Sequence, residues 1–242
     1  MITNLQFRKA GNHMQIYLLD ISQQLDEEMT DQLLELITKE ERENKKKFQT
    51  ACGKLFIHYL LREKFSLAEK DIKLLKTDSG KPYIEGLLVH FNLSHATDYV
   101  VCAMSDQEIG IDIEKIRAVN FKKIAKRFFC ESEYEDLLAK KQPEQLNYFF
   151  QLWTLKESYL KWLGTGLRIP LNSCSFKVTD EKISCKRDGK VLESPYFKQL
   201  SFEGYQLSVC SPISEFPDEV MRINFEDVIN NCKKFEKVST KP

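Results

Sequence analysis

The segment Ile109-Gly110-Ile111-Asp112-Ile113-Glu114 alternates without a break. On an extended strand successive side chains point to opposite faces, so the three isoleucines share one face and Gly110, Asp112 and Glu114 share the other. Such a strand has to lie between a core and a polar cleft, and the glycine beside the carboxylates leaves room for a cation and a ligand. A second segment, Trp153-Thr154-Leu155-Lys156-Glu157-Ser158-Tyr159-Leu160-Lys161, is helical in spacing. It sets Trp153, Glu157 and Lys161 in one row at i, i+4 and i+8. If strand and helix meet, three carboxylates and an ammonium surround one point, a set that suits Mg²⁺ and a phosphate ester.

The chain has 242 residues, enough to bury the core of one large domain or two small ones. Lys+Arg and Asp+Glu both number 36, so no global positive field advertises a nucleic-acid partner. The seven cysteines show neither CxxC nor Cys/His pairing at zinc spacing, which predicts reduced thiols in a cytoplasmic protein. Met1 to Met14 contains no apolar run of signal-peptide length, and no later segment approaches a membrane span. The expectation is a soluble, untargeted protein.

An apolar strand at Gln15 to Leu19 precedes a long, charge-rich helical region from about Asp26 to Phe65. Strands are expected near Ile72 to Leu75, Leu88 to Ser94 and Tyr99 to Ser105, with the turn Asp78-Ser79-Gly80-Lys81-Pro82 between the first two. From Glu108 the order restarts: a strand to Glu114, helices across Phe121 to Gly164, then strands near Ser173 to Val178, Ile183 to Lys186 and Tyr205 to Cys210. This repeat of element order, without visible sequence identity, predicts an α+β fold. It comprises two similar α/β subdomains with pseudo-twofold symmetry, residues 1–107 and 108–230, and a cleft between them. Residues 231–242 read as a polar, flexible tail.

Val89, Phe91 and Leu93 alternate with polar partners in a half-buried strand that ends at His95. If this strand, Tyr99 to Met104 and Glu108 to Glu114 form an antiparallel meander, the first and third run the same way, and His95 lies near Asp112 and Glu114. Each element also has an ordinary reading. His95 could be a hydrogen-bonded structural residue, Asp112 and Glu114 exposed strand residues, Glu157 and Lys161 a surface pair, and Gly80-Lys81-Pro82 a plain tight turn. The charged run Lys39 to Lys47 reads as a solvated helix face. The joint occurrence of the four signals favours a site.

These motifs together resemble the Sfp-type, two-subdomain 4′-phosphopantetheinyl transferases. The G-I-D-I-E strand and the W-[ST]-x-K-E-[AS]-x-x-K helix of that family are met by Gly110 to Glu114 and Trp153 to Lys161. Phe91-Asn92-Leu93-Ser94-His95, Gly80-Lys81-Pro82 and Lys126-Arg127-Phe128-Phe129 ahead of Glu133 match further family segments in order, over about residues 37 to 225. The resemblance implies a Mg²⁺-dependent transferase of the holo-acyl-carrier-protein synthase type. Its reaction moves the phosphopantetheine arm of coenzyme A to a serine of an acyl or peptidyl carrier protein, as in nonribosomal peptide or polyketide biosynthesis, and releases adenosine 3′,5′-bisphosphate. It further implies Asp112, Glu114 and Glu157 as metal ligands, Lys161 on a coenzyme A phosphate, and Lys81, Pro82, Ser94 and His95 with its phosphates or nucleotide. Glu133 falls where the family often has a carboxylate near the site. At the amino-terminal end Gly53 stands where an arginine is common, and among Arg42, Lys46, Lys47 and Lys54 the choice for the 3′-phosphate falls on Lys54.

Attack by a serine hydroxyl on a diphosphate needs charge neutralisation and a base. Glu157, directly or through a metal-bound water, is the candidate base, beside Lys161 and Asp112. Lys122, Lys123, Lys126 and Arg127 make a cationic helix face suited to an acidic carrier protein. Two like subdomains in one chain supply both walls of a cleft, so a monomer is expected. A Mg²⁺-dependent nuclease or phosphohydrolase is the alternative, which the balanced charge disfavours. A non-catalytic binding module is the third reading.

Overall fold

The computed structural model describes residues 14–68 and 71–239; the first thirteen residues, read above for a signal peptide, lie outside the described residues. Strand β1 (Met14–Asp20) is followed by helices α1 (Glu27–Leu36), α2 (Lys39–Glu43) and α3 (Lys45–Phe65), then by strands β2 (Leu74–Lys76), β3 (Pro82–Ile84), β4 (His90–Ala96) and β5 (Tyr99–Ser105). The second half opens with β6 (Gly110–Lys115) and helices α4 (Phe121–Phe128), α5 (Glu131–Ala139) and α6 (Gln142–Leu163). It continues through β7 (Cys174–Val178), β8 (Ile183–Arg187), β9 (Lys190–Val191), β10 (Tyr196–Phe202) and β11 (Tyr205–Ser211), and ends in β12 (Met221–Ile223) and α7 (Phe225–Ser239).

The charge-rich helical region is divided into three helices, because two of its polar residues cap helix starts. Thr38 and Glu41 make a reciprocal capping box at α2, and extended Asn44 accepts from the Lys46 and Lys47 amides at α3. Each cap satisfies amides that a continuous helix would have paired internally, so the chain turns at both points.

The two halves share one topology. In the first, β1 pairs antiparallel with β5, which pairs antiparallel with β4. In the second, β6 pairs antiparallel with β11, and β11 with β10. The equivalent strands β5 and β11 both begin with tyrosine and end with a buried serine, Ser105 and Ser211. The sheets face each other across a core that includes Ile16, Leu18, Val101, Ile109, Ile111, Ile113, Leu207 and Val209. Helix α3 covers the outer face of the first sheet and α6 that of the second, giving four layers. Full burial of the isoleucines at 109, 111 and 113 contributes roughly 1.5–3 kcal/mol each.

Register shows where the halves diverge. Asp112 and Glu114 pair with Ser208 and Gln206 of β11; the residues in the same places on β1 are Tyr17 and Leu19, opposite Cys102 and Val100. Tyr17 and Leu19 lie in the core under α3, so the pseudo-twofold copy of the acidic strand is apolar.

Three expectations are corrected. β6 does not continue a meander from β5; it pairs with β11, and β4 lies beside it through side chains. The segment from 221 onward does not stay with the second half: β12 pairs parallel with β1, and α7 packs on α1 and α3. Residues 231–239, expected as a flexible tail, continue α7, with Cys232 buried in the first-half core; 240–242 lie outside the described residues. Strand β10 carried no alternation signal, since its side chains are mostly half-buried on both faces.

Candidate active site

Gly110 decides how strand and helix meet. A β-carbon there would stand 2.0 Å from the Ser158 carbonyl oxygen and 2.5 Å from the Trp162 nitrogen, both backbone atoms of α6. The space beside Asp112 that seemed available to a ligand is filled by this helix. The close approach brings Glu157 and Lys161, each one residue before the contact points, alongside Asp112. Gly164 ends α6 in the left-handed region, its N–H donating to the Leu160 and Lys161 carbonyls. At the other end of the row Trp153 packs among Phe128, Phe129 and Phe149, which docks α6 on α4.

The second edge of β6 has no strand partner among the described residues, and side chains satisfy its backbone one after another. Lys81 Nζ donates to Ile109 O (3.2 Å), Ile111 N to Asn92 Oδ1 (2.9 Å), Lys161 Nζ to Ile111 O (3.0 Å) and Ile113 N to Ser94 Oγ (3.4 Å). The halves are therefore joined at this seam by polar side chains of β4 and two lysines. Such an edge left open would be a template for aggregation.

Asp112 is the centre of the seam. Its Oδ1 accepts from Lys161 Nζ at 2.7 Å and from Ser94 Oγ at 2.9 Å, and Lys161 Nζ also donates to Ser94 Oγ at 2.8 Å. Asp112 Oδ2 is buried and has no hydrogen-bond partner among the described residues. Burial and the Asp112 charge push the Glu114 carboxyl up to about 7, and the same two causes raise Glu157. Burial, then the Lys161 ammonium, hold the His95 imidazole below its ordinary value. Asp112, Glu114, Glu157, Lys161, Ser94 and His95 thus act on one another at one place.

A cleft opens beside this cluster in two compartments. The first, about 260 Å³, is bordered by Lys81, Glu157, Lys161 and Gly164. The second, about 270 Å³, is bordered by Gln49, Lys54, Ile57, Phe91, His95 and Val100, and is largely apolar. Gly80, Pro82, Asn92 and Leu93 border both. Lys54 reaches the second compartment but is mostly exposed, 3.5 Å from Glu41.

Lys81 enters the first compartment from the other half, its stem against Gly164. Its Nζ lies 2.6 Å from Glu108 Oε2, while Glu108 Oε1 accepts from His90 Nδ1 at 3.0 Å. Glu108 was not singled out in the sequence; only the fold carries Lys81 across to it.

Glu133 lies elsewhere. It forms a fully buried ion pair with Lys156 at 2.8 Å. Its carboxylate also accepts from the Cys130 and Phe176 amides, and Lys156 Nζ donates to the carbonyls of Leu171 and Cys174. All three ammonium protons are used, so the pair pins α5, α6 and β7 together. The motif lysine at 156 was read as one letter of a helix signature, and its burial could have been inferred from its place in one helical row with the buried Leu152 and Leu160, four residues before and after it.

Among the described residues no three His, Cys, Asp or Glu side chains stand as a closed metal shell. The chemistry of the acidic set nevertheless fits a hard divalent cation. The orphaned Asp112 Oδ2 and the raised Glu114 and Glu157 carboxyls record negative charge in excess of what Lys161 offsets. Lys161 is the cation now on Asp112.

Comparison with known proteins shows the family of the chain. Residues 108–210 match the family model described as the 4′-phosphopantetheinyl transferase superfamily, and residues 24–107 the model described as 4′-phosphopantetheinyl transferase, N-terminal. The chain is 34% identical over 232 residues to the 4′-phosphopantetheinyl transferase Sfp of Bacillus subtilis, covering 89% of this chain and 100% of that one. It is 36% identical to the 4′-phosphopantetheinyl transferase gsp of Aneurinibacillus migulanus, over 76% of this chain and 77% of that one. It is 30% identical to the L-aminoadipate-semialdehyde dehydrogenase-phosphopantetheinyl transferase of Rattus norvegicus, over 63% and 55% of the respective chains. With both halves matched in order and a full-length relative covered end to end, the chain belongs to the 4′-phosphopantetheinyl transferase superfamily and is a transferase.

Proposed function

We propose that the cleft binds coenzyme A and that the chain transfers its phosphopantetheine arm to a serine of an acyl or peptidyl carrier protein, with Mg²⁺ as cofactor. The observation that carries this reading is the two-compartment cleft with the Asp112–Lys161–Ser94 cluster at its side. The charged compartment suits the diphosphate, and the largely apolar one suits the adenosine. Lys81, Pro82, Ser94 and His95 border or adjoin these places, and Lys54 is the candidate cation for the 3′-phosphate.

The serine oxygen attacks the phosphorus that bears the pantetheine arm. A P–O bond forms there, the P–O bond to the second phosphate breaks, and its electron pair leaves with adenosine 3′,5′-bisphosphate. Glu157 takes the hydroxyl proton; burial and then the Asp112 charge raise its carboxyl from its ordinary value and make it a better base. Lys161 and Lys81 hold phosphate oxygens, and Asp112, Glu114 and Glu157 would hold the metal. When bound, Mg²⁺ supplies charge neutralisation on the diphosphate.

The exposed cations Lys122, Lys123, Lys126 and Arg127 of α4 suit an acidic carrier protein. All seven cysteines are free, which suits a reducing cytoplasm, and the shared cleft suits a monomer. Incubation with coenzyme A, Mg²⁺ and an apo carrier protein tests the proposal: intact mass spectrometry of the carrier should show the added arm. A carrier of unchanged mass, or a hydrolysed phosphate ester in its place, rejects it.

A further inference from the structure

Two polar rows cross the second sheet on the face that carries the acidic pair. Residues directly opposite in an antiparallel pair point to the same side, so the register gives Asp112–Ser208–Gln199 as one row and Glu114–Gln206–Ser201 as the next. The middle of the first row is satisfied: Ser208 Oγ bonds Thr154 Oγ1 of α6 at 2.7 Å and accepts from Gln199 Nε2 at 2.9 Å. The middle of the second is not. Gln206 is 2% exposed, its Oε1 accepts from Ser201 Oγ at 2.6 Å, and its Nε2 is buried with no hydrogen-bond partner among the described residues. Buried amide nitrogens are rarely left so. The residue opposite on the other side is Glu114, and a carboxylate can only accept, so the amide nitrogen is the end that suits it.

The first half supplies the contrast within the chain. There the same two places, on β1 and β5, hold the buried Leu19 and Val100. The middle strand carries an amide only where its neighbour is a carboxylate; packing alone would be served by valine in both halves.

We propose that Gln206 is a positioning residue for the transfer: its Nε2 donates to one carboxylate oxygen of Glu114 and so turns the other toward the cation site shared with Asp112 and Glu157. The inference rests on the Mg²⁺-dependent transferase reading above. A ligating carboxylate free to rotate must be ordered each time a cation binds, and a donor behind it fixes its orientation beforehand. Gln206 borders neither compartment of the cleft, so the affinity for coenzyme A alone does not depend on it.

Q206M removes the donor and keeps nearly the length and volume of the side chain, so the fold, read by circular dichroism and urea denaturation, should be retained. Wild type and Q206M, each saturated with coenzyme A, are titrated with Mn²⁺ in place of Mg²⁺, and free Mn²⁺ is read by electron paramagnetic resonance. Q206M should bind Mn²⁺ at least about tenfold more weakly, while its coenzyme A affinity in EDTA, measured by calorimetry, equals that of wild type. A purely structural Gln206 would shift both affinities or neither. Independently of how Q206M folds, the side-chain amide pair of Gln206, assigned through bonds in wild type, should show a downfield proton that moves back in Glu114→Ala. Equal Mn²⁺ affinity of a folded Q206M, equal losses in both affinities, or an amide pair indifferent to Glu114→Ala overturns the role of Gln206 alone. Wild type that binds coenzyme A but no Mn²⁺ overturns the metal reading, wild type that binds no coenzyme A overturns the transferase reading, and this inference falls with either.

Discussion

Gly110 and Ser158 stand so close that a single methyl group on the glycine would overlap the serine carbonyl, at 2.0 Å. The contact is backbone against backbone, and neither side can yield as a flexible side chain would. It sets the distance between the acidic strand and the acidic helix, and so the distance between Asp112 and Glu157.

Gly110→Ala is therefore expected to destabilise the protein by about 3 kcal/mol, and to cost transfer activity beyond the loss of folded protein. Urea denaturation and activity per folded molecule measure the two effects. A variant of wild-type stability and activity would show that α6 can move off β6 freely.

Asp112→Ala should abolish transfer while the fold is retained, since the residue serves the cleft and its loss opens no large cavity. Glu157→Gln should cost transfer far more than coenzyme A affinity, because it keeps the shape of the side chain and loses the proton acceptor. Single-turnover rates set against calorimetric affinities check both. Equal losses in rate and affinity for Glu157→Gln would assign it to holding the metal and not to the base.

Lys156→Met leaves the Glu133 carboxylate buried without its counter-ion, at an expected cost of about 3–5 kcal/mol. The double variant Glu133→Gln with Lys156→Met should recover a large part of that loss, and its folded fraction should retain transfer. Denaturation of the single and double variants checks this; a double variant no more stable than Lys156→Met would mean that the amide contacts of Glu133, not its charge, hold the joint.

The Glu108 carboxyl is held down to about 2, first by His90 and also by Lys81, against burial that raises it. A depressed folded-state value means stability that is present above the ordinary value of 4.5 and lost as pH falls toward about 2. Because half of the side chain is exposed, the contribution is about 1 kcal/mol or less. Glu108→Gln should flatten the stability profile between roughly pH 5 and pH 3 relative to wild type. Parallel profiles from chemical denaturation would refute a stabilising contact of Glu108 with His90 and Lys81.

Charge reversal at Lys122 and Lys123 should raise KM for the carrier protein severalfold at low salt and leave kcat for a saturating carrier unchanged. Both side chains are exposed on α4, so long-range attraction and not packing is what they offer. The difference from wild type should shrink as salt is added; a KM that ignores both charge and salt would exclude steering by this face.

What could be read without coordinates was whatever depends on neighbours along the chain. The alternation of Ile109 to Glu114 announces a strand with one apolar face, and the row Trp153, Glu157, Lys161 announces a helix face. The residue types of the cluster were legible for the same reason, since carboxylates and lysines at fixed spacing carry their chemistry wherever the segment goes. The tertiary structure decided which edges meet. That β6 pairs with β11, that Asn92 and Ser94 close its other edge, and that Gly110 admits a helix backbone all depend on partners 19 to 100 residues away. Strand pairing is degenerate in any one strand's sequence: every free edge offers the same N–H and C=O groups, and only global packing of the two halves selects among them. Glu133 shows the same limit, an acidic residue set near the site by the family resemblance and tied instead to a lysine that only the folded core brings within reach.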